Sequence, residues 1–190
     1  MPLGFDLEFY RELFNCSNYF ETGLYDCQYD VSAKIASRCK FKNIYSIEIR
    51  EDWVNLGKEY FKTEIENGRF NLINDDSCNM GKYLNNEIFL ERTIFFLDAH
   101  VDNDSIQNYK YKCPLLEELN AIGNLSRKDN IILVDDIRIL KCPNPWGESS
   151  YDVANFLDKI KEIVLTINPE YKFKLLDGEF TKDDVLLCYV

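Results

Sequence analysis

Short apolar runs alternate with segments of helical period along this chain of 190 residues. Each run is short and continuous, which is typical of a strand buried on both faces of a parallel sheet. Between the runs, apolar side chains recur roughly every three or four residues, as they do on one face of a helix. The runs lie at 19–20, 44–49, 70–73, 94–97, 131–134, 171–176 and 185–190, and the helical stripes at 53–65, 115–122 and 153–167.

This alternation predicts an α/β fold, a Rossmann-like three-layer sandwich with helices on both faces of a mostly parallel, seven-stranded sheet. Only residues 177–184 separate the last two runs, too few for a helical crossover, so these runs are predicted to form a C-terminal antiparallel hairpin. Residues 1–15 are predicted to form an extra amphipathic helix, either a lid or a cover for one face. Aromatic side chains of the helical stripes, Trp53 among them, are expected in the core. We expect a single domain over residues 1–190.

Charge and length exclude several classes of protein. A net charge of −11 argues against binding nucleic acid, because proteins that bind its phosphates carry basic surfaces. No apolar stretch approaches the roughly 20 residues that cross a bilayer, and the first residues lack the pattern of a signal peptide. We therefore expect a cytoplasmic protein that binds neither nucleic acid nor membrane. The oligomeric state stays open.

The cysteines and the histidine limit the kinds of metal site. There are 7 cysteines, an odd number without a C-x-x-C pair, which argues against a disulfide framework or a zinc site. With only 1 histidine in the chain, a metal would be bound mainly by oxygen, which favours Mg, Mn or Ca.

Polar residues follow two of the predicted strands directly. Asp98 and His100 come after the run at 94–97, and Asp135 and Asp136 after the run at 131–134. In open α/β sheets, ligands bind at the carboxyl ends of the strands, so these side chains are candidates for one site. Three carboxylates there repel one another unless a cation balances them. That cation is either a divalent metal ion or Arg138, and His100 is either a base or a hydrogen-bonded structural histidine.

The segment at 18–25 resembles the first motif of class I S-adenosylmethionine (SAM)-dependent methyltransferases. The resemblance implies that Gly23 lets the backbone approach the methionine part of SAM, that Glu21 helps to hold its amino end, and that Tyr25 lies in the same loop. Alternatively, Gly23 is only a turn glycine.

Two later segments resemble the cofactor contacts that follow in such enzymes. Glu48 and Ile49 end the second predicted strand, where an acid accepts hydrogen bonds from ribose hydroxyls. Asp76 and Ser77 follow the third strand and resemble the motif that contacts adenine. Alternatively, Glu48 is a solvated charge and Asp76 caps a helix.

The strings LDAH at 97–100, CPLLEEL at 113–119 and DD-x-R at 135–138 resemble a small methyltransferase-like family, and the acids also resemble the metal site of sugar O-methyltransferases. The resemblance implies an O-methyltransferase that acts on a sugar hydroxyl of a glycan or another small hydroxylated acceptor. Asp98, Asp135 and Asp136 would hold Mg or Mn, and His100 would be the base, with Asp98 as the alternative base. Asp98 would also contact the cofactor. Residues 101–112 and 141–148, including Trp146, are expected on the acceptor side.

One departure from the first motif leaves other functions open. Cys27 and Tyr29 stand where the motif has further glycines, so either their side chains narrow the cofactor pocket or the loop takes another course. A non-catalytic, methyltransferase-like binding domain would explain these residues. A nicotinamide-dependent oxidoreductase ranks third, because the complete G-x-G-x-x-G turn is missing.

Overall fold

A seven-stranded sheet forms the centre of the protein. The structure is a computed structural model that describes residues 3–84, 87–101, 109–142 and 156–190. The strands are β1 (Asn18–Thr22), β2 (Asn43–Glu48), β3 (Phe70–Asn74), β4 (Thr93–Leu97), β5 (Ile131–Val134), β6 (Lys172–Leu176) and β7 (Val185–Tyr189). Their order across the sheet is β3-β2-β1-β4-β5-β7-β6, with β7 antiparallel to both of its neighbours. The predicted fold class and the C-terminal hairpin are therefore confirmed.

The register brings the carboxyl ends of the parallel strands to one edge of the sheet. Thr22 of β1 pairs with Leu97 of β4, and Leu97 pairs with Val134 of β5. The chain leaves β1 toward β2 on one side and returns to β4 on the other. A crevice opens at such a reversal of strand order, and it is where ligands bind in open α/β sheets.

The apolar runs supply both faces of the sheet. Phe20 and Phe95 belong to one hydrophobic cluster, whereas Ile94 and Phe96 belong to the cluster on the opposite face. Because side chains of a strand alternate between faces, a continuous apolar run is what a doubly covered strand needs. Burial on both sides fixes the register, since a slip of one residue would exchange the two faces.

Helices cover both faces. They are α1 (Leu7–Leu13), α2 (Ser32–Arg38), α3 (Glu51–Tyr60), α4 (Lys62–Glu66), α5 (Leu115–Gly123), α6 (Ile137–Leu140) and α7 (Phe156–Ile167), with 3-10 helices at Ser77–Tyr83 and Glu87–Leu90. Asp6 begins α1 by accepting a hydrogen bond from the amide of Phe9 at 3.0 Å. Leu7 and Tyr10 of α1 are buried in the same cluster as Ile94. The extra helix is thus shorter than predicted, and its packing favours the cover over the lid.

One of the predicted helical stripes differs from what the structure shows. The stripe at 53–65 is divided between α3 and α4 at Phe61, whose buried ring stacks on Phe70 with 4.2 Å between ring centroids. The start of the stripe at 153–167 lies outside the described residues, and α7 is described from Phe156. None of the described helices is both long and apolar enough to cross a membrane.

Candidate active site

A cavity of about 500 Å3 opens at the carboxyl edge, over the ends of β1 to β4. The residues that were predicted to contact SAM line this cavity, with the exception of Glu21. Those that line it are Gly23, Tyr25, Glu48, Ile49, Asp76, Ser77 and Asp98, and they are joined by His100 and Asp136. The structure therefore brings the three predicted cofactor segments and the predicted base into one site.

Gly23 is needed for its conformation and for the close approach of two strand ends. Its φ is +84°, in the left-handed region, and a Cβ there would lie 2.9 Å from the carbonyl oxygen of Asp98. Its amide donates a hydrogen bond to the carbonyl of Ile47 at 2.8 Å. A side chain at this position would push apart the loop after β1 and the end of β4, which form the floor of the cavity.

Glu48 ties together the loops that follow β1 and β2. It is only 4% exposed, and its carboxylate accepts hydrogen bonds from the amides of Arg50 at 2.8 Å and Tyr25 at 3.1 Å. Burial raises the pKa of Glu48, and these amides oppose the shift. Each carboxylate oxygen can accept a further hydrogen bond, so Glu48 keeps the capacity to bind ribose hydroxyls.

Asp76 caps a helix and also lines the cavity, so its two interpretations do not exclude each other. One of its carboxylate oxygens accepts a hydrogen bond from the amide of Cys78 at 2.9 Å, which caps the 3-10 helix at Ser77–Tyr83. The other accepts from the amide of Lys110 at 2.8 Å. Ser77 is buried, and both residues line the cavity. Asp75, which the sequence analysis did not single out, also lines it and accepts a hydrogen bond from the hydroxyl of Tyr83 at 2.8 Å.

An aromatic wall that includes Trp53 closes one side of the cavity. Trp53 is half-buried there rather than in the core, where it was expected. The guanidinium of Arg50 lies 3.9 Å from the centre of the Trp53 ring, and the ring of Tyr25 lies 4.7 Å from it. Sequence periodicity missed this role because Trp53 falls on the same helical stripe as the core residues of α3.

Glu21 does not line the cavity, so the structure does not bring it together with the other residues that were predicted to hold SAM. Its fully buried carboxylate accepts hydrogen bonds from the hydroxyls of Tyr19 at 3.0 Å and of Ser32 and Ser46 at 2.8 Å. Burial raises the pKa of Glu21 to about 7, although these hydroxyls lower it. The residue instead joins β1, β2 and α2 by hydrogen bonds.

The raised pKa of Glu21 predicts how stability depends on pH. The folded protein binds the Glu21 proton more tightly than the unfolded chain does, because the pKa rises from 4.5 to about 7 on folding. As the pH rises from about 5 to about 8, Glu21 loses its proton in the folded protein. The free energy of unfolding should therefore fall by about 2 to 3 kcal/mol because of Glu21 alone. Glu21→Gln should remove that part of the decrease in urea titrations, whereas the exposed control Glu59→Gln should not. An unchanged pH dependence in Glu21→Gln would contradict this assignment.

Asp136 lies at the centre of the carboxylate cluster. It is 3% exposed and adopts a left-handed conformation with a φ of 59°. One carboxylate oxygen lies 3.4 Å from Nδ1 of His100, and the other lies 2.6 Å from Nη1 of Arg138. The same Arg138 nitrogen pairs with Asp184. Arg138 therefore supplies part of the positive charge that balances these carboxylates. It was one of the two cations expected in this role, the other being a divalent metal ion.

The structure groups the possible metal ligands differently from the prediction. Within the described residues, ligand atoms of Asp98, His100 and Asp136 lie within 4.8 Å of one another, and so do those of Asp135, Asp136 and Asp184. The predicted set of Asp98, Asp135 and Asp136 is thus divided. His100 joins Asp98 and Asp136, because the loop after β4 returns its imidazole toward the end of β5.

The charges of this cluster are only partly balanced. Burial, and then the negative charge of Asp135, raise the pKa of Asp98 well above its usual value. Burial raises the pKa of Asp135 to about 6, and the charge of Asp136 adds to the effect. A divalent cation would relieve this repulsion, and the carboxylates of Asp98 and Asp136 offer the oxygen ligands that suit Mn or Mg.

A second cavity of about 270 Å3 is also lined by Arg138. Asp135, Asp184 and Phe180 line it too, and Phe180 in the turn between β6 and β7 is 85% exposed. Because Arg138 lines both cavities, the second lies next to the first. Of the segments expected on the acceptor side, Val101, Tyr109 and Tyr111 line the first cavity, whereas 102–108 and 143–148, with Trp146, lie outside the described residues.

Cys27 and Tyr29 do not narrow the first cavity. Cys27 is buried in the hydrophobic cluster beside Leu24, and the side chain of Tyr29 is exposed. Neither residue lines the cavity. The loop after Gly23 takes a course that moves both side chains away from the cavity, with Tyr25 in the left-handed region at a φ of 63°.

Comparison with known proteins shows similarity in three dimensions only. No protein-family model and no curated protein matches the chain. An O-methyltransferase from Bacillus cereus, solved in complex with S-adenosylhomocysteine (SAH), is 13% identical with a TM-score of 0.62, over 97% of this chain and 78% of that one. The SAH-bound methyltransferase PaMTH1 from Podospora anserina is 21% identical with a TM-score of 0.58, over 96% of this chain and 75% of that one. The O-methyltransferase TomG from Streptomyces achromogenes, solved with SAM, is 12% identical with a TM-score of 0.61, over 97% of this chain and 77% of that one. The chain therefore has the fold of class I methyltransferases.

Proposed function

We propose that the protein is a SAM-dependent O-methyltransferase whose acceptor is a sugar hydroxyl of a glycan or another small hydroxylated molecule. The observation that carries the proposal is the first cavity, in which Gly23, Glu48 and Asp76 follow one another along the strand ends and reach an acid and imidazole cluster. Structures of the same fold have been solved with SAM or SAH, which supports this cofactor.

The lining of the cavity fits the parts of SAM. The left-handed turn at Gly23 gives the methionine part access to the backbone, and Glu48 and Ile49 lie where the ribose would bind. Asp76 and Ser77 would contact adenine. The sulfonium carries a positive charge, and Asp98, Asp136 and Glu48 provide carboxylates on the walls around it. This negative lining favours the cationic cofactor over its neutral product SAH.

The cluster of Asp98, His100 and Asp136 would prepare the acceptor. A sugar hydroxyl is a poor nucleophile at neutral pH, so its proton must be removed as the methyl group is attacked. The carboxylates of Asp98 and Asp136 would hold a divalent ion, Mg or Mn, which lowers the pKa of a hydroxyl when it is bound. His100 accepts the hydroxyl proton and is oriented by Asp136, with Asp98 as the alternative base. The second cavity, beside Arg138 and Phe180, offers room for the sugar.

A non-catalytic binding domain has less support from this geometry. It was suggested by Cys27 and Tyr29, and both side chains lie away from the cavity. Calorimetric titration with SAH distinguishes the two functions, because the enzyme must bind SAH and the degenerate domain must not.

Glu48 is the residue with which the cofactor assignment is tested. Glu48→Ala removes the acceptor of two backbone amides and of the ribose hydroxyls, so SAH binding should weaken by about 1.5 to 3 kcal/mol, the range for hydrogen bonds to charged groups. Glu51→Ala, which removes an exposed carboxylate nearby on α3, should leave the affinity unchanged. Equal SAH affinity of Glu48→Ala and the unmodified protein in calorimetry would show that the ribose lies elsewhere.

A further inference from the structure

Glu118 of α5 is a buried carboxyl group that the proposed reaction does not use. It is 1% exposed, and neither of its carboxyl oxygens has a hydrogen-bond partner among the described residues. The hydroxyls of Thr22 and Ser77 are close enough to favour its charged form, but neither makes a well-formed hydrogen bond with it. Buried polar groups almost always have a partner, because losing hydration without one is costly.

A small cavity adjoins Glu118 on the side of the candidate active site. Its volume is about 20 Å3, and its lining includes Glu118, Asp98, His100 and Asp136. One water molecule needs about 10 to 15 Å3 and two to four polar partners, so both the space and the partners suffice for a single water. Asp98, His100 and Asp136 also line the first cavity, so the small cavity lies directly behind His100, the proposed base.

We propose that one buried water occupies this small cavity and joins Glu118 to Asp98 and His100, which makes Glu118 a positioning residue for the base. The water would donate hydrogen bonds to carboxyl oxygens of Glu118 and Asp98 and accept one from Nδ1–H of the imidazole, which leaves Nε2 to accept the hydroxyl proton. A histidine ring whose nitrogen donates to a fixed acceptor is held in one tautomer and one orientation. The catalytic meaning of the inference rests on the proposed function, but the water and its hydrogen bonds do not.

The neighbouring glutamate provides a matched control. Glu117 is half-exposed, and its carboxylate pairs with Nζ of Lys110 at 2.7 Å. Glu117→Gln and Glu118→Gln are therefore the same chemical change one residue apart on the same helix. Only the second change alters the lining of the small cavity.

His100 gives a direct readout, because it is the 1 histidine of the chain. In protein labelled with nitrogen-15 histidine and kept in EDTA, its ring nitrogens give the sole imidazole signals in NMR spectra. Glu118→Gln and Glu118→Leu should shift these signals and change the balance of the tautomers, and Glu117→Gln should leave them unchanged. A high-resolution crystal structure should show a water in contact with Glu118 in the unmodified protein and none at this place in Glu118→Leu. The methyl-transfer rate should fall about tenfold in Glu118→Gln with an unchanged KM for SAM.

Two results would overturn the inference. One is an unchanged His100 spectrum in folded Glu118→Gln, and the other is a crystal structure of the unmodified protein without water beside Glu118. Should Glu118→Leu fail to fold, Glu118→Gln decides alone, because an amide has the shape of a carboxyl group. The spectra require neither cofactor nor acceptor. A protein that does not bind SAH would therefore refute the proposed function and leave this test intact.

Discussion

Gly23→Ala should weaken SAH binding by at least about 100-fold, or about 3 kcal/mol. The new methyl group would lie 2.9 Å from the carbonyl oxygen of Asp98, closer than such contacts occur, and the left-handed φ of +84° adds strain. Relief of the contact must move the end of β4 away from the loop after β1. Because both segments line the cavity, the change should alter the binding site as well as the stability.

Gly68→Ala separates the two effects. Gly68 has a φ of +79°, similar to that of Gly23, but a Cβ at this position meets nothing within 4 Å. Gly68→Ala should therefore lose only the stability that a left-handed alanine costs, about 1 to 2 kcal/mol. It should bind SAH as the unmodified protein does. Calorimetry with SAH and urea unfolding of both variants check the prediction. If Gly23→Ala binds SAH as well as Gly68→Ala does, the close approach to Asp98 is not part of the cofactor site.

Methyl transfer to a sugar acceptor, measured as SAH release, should stop in EDTA and return when Mg or Mn is added. Asp136→Asn should lose the metal dependence and at least about 100-fold in rate, because a bound divalent ion contributes several kcal/mol to such a reaction. Asparagine tolerates the left-handed backbone at this position, so the change removes charge and keeps the loop. His100→Ala should lose rate and still bind Mn, as followed by electron paramagnetic resonance.

Asp183→Asn is the control for this substitution, since Asp183 is exposed and has a φ of 57°. It should change neither the rate nor the binding of Mn. Full activity in EDTA would refute the metal site and leave Arg138 to balance Asp136. Unchanged activity of His100→Ala would make His100 a structural residue.

Much of the fold could be predicted because each strand is an apolar run in the printed sequence. The run at 131–134 coincides with β5, and the short separation at 177–184 indicated the antiparallel pair of β6 and β7. The break at Phe61 could not be predicted, because α3 and α4 share one apolar stripe and only the stacking of Phe61 on Phe70 divides them. Such tertiary contacts leave no periodic signal in a sequence.

The candidate site was predictable where it consists of residues that directly follow strands. Gly23, Glu48, Asp76 and Asp98, which were predicted to hold the cofactor, all line the cavity. Glu21 is directed to Ser32 and Ser46 instead, because alternation within a strand does not reveal which face of the sheet the polar partners cover. Glu118 and Asp184 reach the site from other elements and gave no such signal.

The left-handed backbone of Asp136 restricts which residues can replace it during evolution. Besides glycine, asparagine and aspartate are the residues that adopt this conformation at little cost. Glutamate would keep the negative charge but strain the loop, whereas asparagine would keep the loop and remove the charge. Related sequences can therefore exchange a charged for a neutral side chain at this position by a single substitution. The charge of the carboxylate cluster changes in this way while the chain keeps its course.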